Sequence, residues 1–151
     1  MIIKDREIID LFEIEAILND ALVCRIGLAD GDDPYIVPLC FGYKEKTIYL
    51  HSAMTGKKIA ILRKNPRCCF EVDLPDHIIR AERPCTWGIH YRSVIGFGRA
   101  RFIEDTVEKK TGLNCIMQHY GCEPHQFSDD AVRNVCVIRI DIDSMTGKKN
   151  D

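Results

Sequence analysis

Chemistry-bearing side chains concentrate in residues 48–66, IYLHSAMTGKKIAILRKNP. A strand-like apolar run ends in His51, Ser52 and Ala53, Gly56, Lys57 and Lys58 follow, and a short helical pattern begins there. This order gathers hydroxyls, cations and unpaired backbone N–H groups at one helix start, which suits a phosphate. It is not a P-loop, because the G-x-x-x-x-G-K-[ST] spacing is absent and Lys58 is followed by Ile59. A solvated loop with two surface lysines fits the same residues. A nucleotide's ring needs apolar strand residues nearby, and IVPLC and IYLHS can supply them. The pentapeptide at 54–58 recurs unchanged at 145–149, a repeat far too short for a solenoid.

His51, at a strand end beside Ser52, is a candidate proton or hydrogen-bond donor near neutral pH. A structural or surface histidine fits the same position. No Ser-His-Asp set is evident, so hydrolase chemistry has no support. Cys115, His119, Cys122 and His125 form a second constellation, C-x3-H-x2-C-x2-H. Thiolate and imidazole ligands suit zinc, but the spacing matches no common zinc motif, and chance placement in a cysteine-rich chain is the better account. No metal is expected. Residues 30–33 lack the downstream ligands of a calcium loop and read as a turn.

These residues need a frame. Asp10 with Glu13 makes a capping-box pattern, Ile9 and Ile14 fit a hydrophobic staple, and Ile14, Ile17, Leu18 and Ala21 share one face, so a helix is expected over 11–20. Runs at 23–29, 35–43 and 47–52, separated by polar turns at 30–34 and 44–46, read as an antiparallel meander. Pro38 marks an edge, a bulge or a distortion in the second run. A short helix is expected over 57–64, stopped by Asn65-Pro66. A strand over 68–72 leads into a polar connection at 74–88. A long strand over 91–103 carries Gly96 and Gly98, which relieve crowding or permit bending. Asp105 and Glu108 start a helix with Leu113, Ile116, Met117 and Tyr120 on one face. The last strand is expected over 135–142, and 144–151 as a polar tail. Six or so strands with edge helices argue for a small β-barrel in one domain, 1–151.

With 151 residues and a net charge of −2, the chain has no global electrostatic case for nucleic acid or acidic membranes. No apolar run approaches the ~20 residues that span a bilayer. The N-terminal stretch lacks a secretory core, so cytoplasmic residence is the expectation. Eight cysteines without such a signal read as reduced thiols.

Taken together, IVPLCFGY, IYLHSAMTGKK, YRSVIGFGRARF and SMTGKK, in that order, resemble the FMN-binding split-barrel proteins related to pyridoxamine 5′-phosphate oxidase. The similarity is greatest to the Nim branch of 5-nitroimidazole resistance proteins. The resemblance implies a six-stranded antiparallel split β-barrel with peripheral helices, forming a homodimer with FMN (or FAD) at each subunit interface. It implies that Val37, Pro38, Leu39 and Cys40 line the flavin, with His51, Ser52 and Ala53 at the next strand's end. Lys57 and Lys58 take the place of the phosphate-binding pair. Arg92 and Ser93 match the oxidases' Arg-Gln, with Ser93 for the Gln as in the Nim branch. Gly147 and Lys148 match a C-terminal Gly-Lys near the cofactor, and His51 matches the histidine proposed to act in the Nim branch. The implied activity is flavin-dependent reduction of a small-molecule electron acceptor. The alternatives are a non-enzymatic flavin- or haem-binding sensor or carrier, and an activity like that of pyridoxamine 5′-phosphate oxidase. The oxidases' Arg-x-His signature and C-terminal segment are absent, which argues against the last.

Overall fold

The chain enters the sheet through β1 (Glu7–Ile8) and turns at Asp10, whose carboxylate accepts from the Glu13 N–H and starts α1 (Leu11–Asp20). The expected staple does not form. Ile9 is 81% exposed, and Ile8 is buried in its place against Gly147, where an added methyl group would lie 2.8 Å from the Ile8 Cβ. The computed structural model describes residues 4–151. Its further elements are β2 (Cys24–Asp30), β3 (Asp33–Leu39), β4 (Gly42–Lys44), β5 (Thr47–Ser52), α2 (Lys57–Lys64), β6 (Arg67–Ile79), β7 (Gly88–Phe102), α3 (Thr106–His119), α4 (Asp129–Arg133) and β8 (Cys136–Asn150).

The fold is mainly β, with eight strands among the described residues rather than six. All pairings are antiparallel, in the order β3-β2-β6-β7-β8-β5-β4, with β1 on the distal half of β8. β3 and β4 stand at opposite ends of this order, yet only Cys40 and Phe41 separate them in sequence. Three residue steps reach no more than ~11 Å, so the sheet curls until its ends are neighbours. The ends do not hydrogen-bond to one another, and this is the split of the barrel. Phe41 plugs the gap: it is fully buried, and its N–H donates to the Tyr120 hydroxyl at 3.1 Å, which itself donates to the Leu22 carbonyl.

This arrangement corrects the meander. β2–β3 and β4–β5 are hairpins, but 35–43 breaks into two strands that part at Cys40. Pro38 sits on an edge strand, where its missing N–H costs no ladder bond. The polar connection at 74–88 is shorter than expected, because β6 and β7 continue as a two-stranded ribbon to Ile79 and Gly88, leaving only 80–87 to join them. The polar tail is the distal half of β8, paired with β7 and β1.

Inward residues of the strands, among them Ile26, Ile48, Leu50, Phe70, Val72, Val94, Ile138 and Ile140, fill the interior with Ile14, Ile17 and Leu18 of α1. Gly96 relieves crowding: a methyl there would lie 2.2 Å from the Phe70 ring. A second cluster of Tyr49, Leu113, Ile116, Val132 and Val137 seats α3 on the outer face of β5 and β8. Among the described residues no helix is long and apolar enough to cross a membrane.

Candidate functional site

α2 begins at Gly56, whose φ of 142° belongs to glycine's range and whose missing side chain opens onto empty space. No side chain caps this helix, and its first turn carries no acidic residue. The first N–H groups and the charges of Lys57 and Lys58 therefore add to the positive end of the helix dipole. Lys57 reaches across the mouth of the barrel to β3, its Nζ 4.5 Å from the Tyr35 ring centre. Lys58 is close enough to Cys136 to oppose, with Arg63 and Lys109, the upward push that burial gives that thiol.

His51 and Ser52 end β5 opposite Val137 and Cys136 of β8. His51 is exposed, and the Ser52 hydroxyl donates to the Ala53 carbonyl at 2.7 Å. On β3, Val37 and Leu39 lean on the core while Pro38 is exposed, as is Cys40 just beyond the strand. β3 is an edge strand, so the free side of its backbone is available for hydrogen bonds.

Arg92, Ser93, Gly147 and Lys148 form a separate group. Ser93 lies opposite Lys148, and Arg92 opposite Lys149. Gly147 is explained by packing, because Ile8 and Ile14 occupy the space its side chain would need. Val137, opposite His51, and Lys148 are eleven positions apart on β8, roughly 35 Å of strand contour. The structure thus joins Tyr35 and the start of α2, joins Arg92, Ser93 and Lys148, and keeps these two groups apart within one chain.

A groove of about 670 Å³ lies elsewhere, on the outer face of the sheet. It is lined by Gly27, Tyr35, Ile36, Cys69 and Phe97, among others, and touches the predicted set only through its neighbour Tyr35. Cross-strand register continues this face along the rows Ile36–Gly27–Cys69–Phe97 and Pro38–Arg25–Glu71–Ile95 to Asp73–Ser93–Lys148. Ile36 is 64% exposed, Ile95 49% and Phe97 51%, a concentration of apolar surface without a partner in this chain. Sequence reasoning missed a charged cluster within it. One guanidinium nitrogen of Arg25 donates to Glu71 at 3.3 Å and to Asp73 at 3.2 Å. Burial, then the Asp73 carboxyl, push Glu71 up to about 7 against the pull of Arg25. The only signal in the sequence was that these residues alternate with apolar ones; their meeting depends on register.

The Cys115, His119, Cys122 and His125 constellation does not assemble. His119 Nε2 contacts the Ala21 carbonyl at 2.6 Å, and the His125 ring packs edge-on against Phe127. Among the described residues no group of three or more His, Cys, Asp or Glu side chains is placed to hold a metal ion. All eight cysteines are free thiols.

The fold and site define a class: an antiparallel barrel left open between two strands, with a cationic helix start beside the opening. A sequence profile of the pyridoxamine 5′-phosphate oxidase family matches residues 10–149, and the chain belongs to that family. Among solved structures it is similar to a candidate 5-nitroimidazole antibiotic resistance protein of Bacteroides thetaiotaomicron, at 38% identity over 95% of this chain and 86% of that one, TM-score 0.85. An FAD and heme binding protein of Mycobacterium smegmatis superposes with TM-score 0.88 at 14% identity, over 97% of this chain and 74% of that one. An FAD-binding protein of Mesorhizobium loti does so with TM-score 0.70 at 24% identity, over 95% and 96%. These two likenesses concern the fold. A search of curated proteins by sequence found no match.

Proposed function

We propose that the chain is a homodimeric flavoprotein that binds FMN and reduces small-molecule acceptors of the nitroimidazole type. The observation that carries this reading is the uncapped, carboxylate-free start of α2 with Lys57 and Lys58, set beside an edge strand. The residues present fit the group. A phosphate finds two cations, free N–H groups and the open space at Gly56. The polar edge of a ring finds the free side of edge strand β3, where Pro38 offers only its carbonyl, and the backbone of Cys40 just beyond the strand, with Val37 and Leu39 on either side of Pro38. The 38% identity to the Bacteroides protein supports the choice of acceptor class.

When bound, the flavin would supply the electrons, and the protein binds and orients it. Lys57 and Lys58 hold the phosphate end. His51, exposed at the end of β5, would deliver a proton in this reading. Reduction of a nitro group to a nitroso group consumes two electrons and two protons and releases water. His51 donates one of those protons to an acceptor oxygen, and solvent supplies the other.

The separation of the two groups along β8 supports the dimeric reading. If Arg92, Ser93 and Lys148 also serve the cofactor, they come from the second chain, and the exposed Ile36, Ile95 and Phe97 supply an apolar surface for that contact. The test is extraction and mass spectrometry of whatever copurifies. FMN at about one per chain is expected; protein that stays colourless after refolding with excess FMN, and quenches no FMN fluorescence, overturns the reading. A flavin or haem carrier is the second reading, favoured by the exposure of His51, which leaves its ring without a packed orientation. A bound flavin that is reduced yet passes electrons to no nitro or quinone acceptor would select the carrier.

A further inference from the structure

We propose that the ribbon of β6 and β7 carries a two-histidine site, His77 and His90, for a divalent transition-metal ion of the zinc, nickel and copper class. Three separate observations lead there.

The first is a bulge. Pro75 pairs with Tyr91 and Ile78 with Ile89, so two residues of β6, Asp76 and His77, stand opposite the single residue His90. A bulge re-aims side chains, and here it brings the two imidazoles together with ring centres 4.4 Å apart and planes tilted by 55°.

The second is the state of the ring nitrogens. His90 Nδ1 lies 3.0 Å from the Asn150 carbonyl oxygen, and His77 Nδ1 lies 3.2 Å from Asp76 Oδ2. A carbonyl only accepts, so the His90 Nδ1 carries the proton in the neutral ring and its Nε2 presents a free lone pair. The Asp76 carboxylate beside His77 Nδ1 favours the same tautomer there. Histidines that ligate metals are held in this way, with the second ring N–H donated to a carboxylate or a backbone carbonyl that fixes tautomer and orientation.

The third is room. A cavity of about 270 Å³ beside the pair is lined by Leu74, Pro75, Asp76, His90, Tyr91, Arg92 and Asp151. It admits the waters that complete a coordination shell with two protein ligands. The carboxylates of Asp76 and Asp151 offset the charge of Arg92 at its wall. Imidazole nitrogen selects the later first-row metals over magnesium and calcium. The site is open, with fewer ligands than a structural metal centre.

Nickel(II) is the probe, added to the full-length protein in a thiol-free phosphine reductant and followed by calorimetry and by paramagnetic broadening of amide signals. One ion per chain is expected, with broadening centred on residues 76–78 and 89–91. H77Q and H90Q should each weaken binding at least ~10-fold, and D76N less, by up to ~10-fold, through loss of the carboxylate beside His77. H125Q should leave binding unchanged. Unaltered affinity in H77Q and H90Q overturns the proposal. So does broadening centred on Cys40, Cys85 or Cys122, and that readout needs no variant to fold.

Discussion

If the two groups of site residues serve one cofactor shared between the chains of the proposed dimer, this can be measured by complementation. Val137, opposite His51, and Lys148 are eleven positions apart on β8, roughly 35 Å of strand contour. One variant carries Lys57→Ala and Lys58→Ala, the other Arg92→Ala and Lys148→Ala. Loss of two hydrogen bonds to charged groups, each contributing ~1.5–3 kcal/mol, weakens FMN binding by about 100-fold or more. Each homodimer then fails to bind at a concentration that saturates the wild type. Co-expressed and randomly paired, about half of the dimers are mixed, and each has one site with both halves intact and one with both damaged. About a quarter of all sites should therefore bind FMN normally, read by fluorescence quenching after the subunits are equilibrated. If each variant alone fails and the mixture shows no recovery, the site lies within one chain. If the Arg92→Ala, Lys148→Ala protein binds as the wild type does, the second group has no part in the site.

Two further outcomes concern stability. Glu71 is raised from its ordinary value near 4.5 to about 7, so the folded chain retains a proton that the unfolded chain releases. That contribution is fully present below about pH 4.5 and is lost as the pH rises through about 7. Melting temperatures of the wild type and Glu71→Gln, compared from pH 4.5 to 8, should shift in the variant's favour as the pH rises; a gap that does not change with pH refutes the assignment. The β4–β5 turn places Glu45 at φ 48° and Lys46 at φ 60°, both left-handed and neither glycine. Glu45→Asn with Lys46→Gly suits this turn and should raise stability by about 1 kcal/mol in urea unfolding; a loss would show that the wild-type turn is unstrained.

The elements that the sequence made legible are those with local punctuation. α1, β5 and α2 have the expected bounds, because Asp10, the turn at 44–46 and Asn65-Pro66 mark their ends regardless of tertiary context. β6 and β8 outran their expected ends because Asp73, Asp76, Lys148 and Lys149 are polar, and what holds them in strands is pairing with β7 and β1. The breakdown of the meander at Cys40 followed from sheet order, which no short-range pattern carries. In the site, the cationic start of α2 was readable as a stretch of chain. Its contact with Tyr35, its distance from Arg92 and Ser93, and the Arg25–Glu71–Asp73 cluster all depend on register between remote strands.

β8 lies between β7 and β5 and also holds β1, so each of its partners is synthesised before it. While residues 136–150 remain inside the ribosome, β5 and β7 each present an unpaired edge, and Ile138 and Ile140 have not yet reached the interior they fill. Unpaired edges of this kind are where nascent chains associate wrongly. The barrel therefore closes only once β8 has emerged and paired with β5 and β7. A ribosome stalled before residue 136 should hold a chain that recruits chaperones and is open to protease.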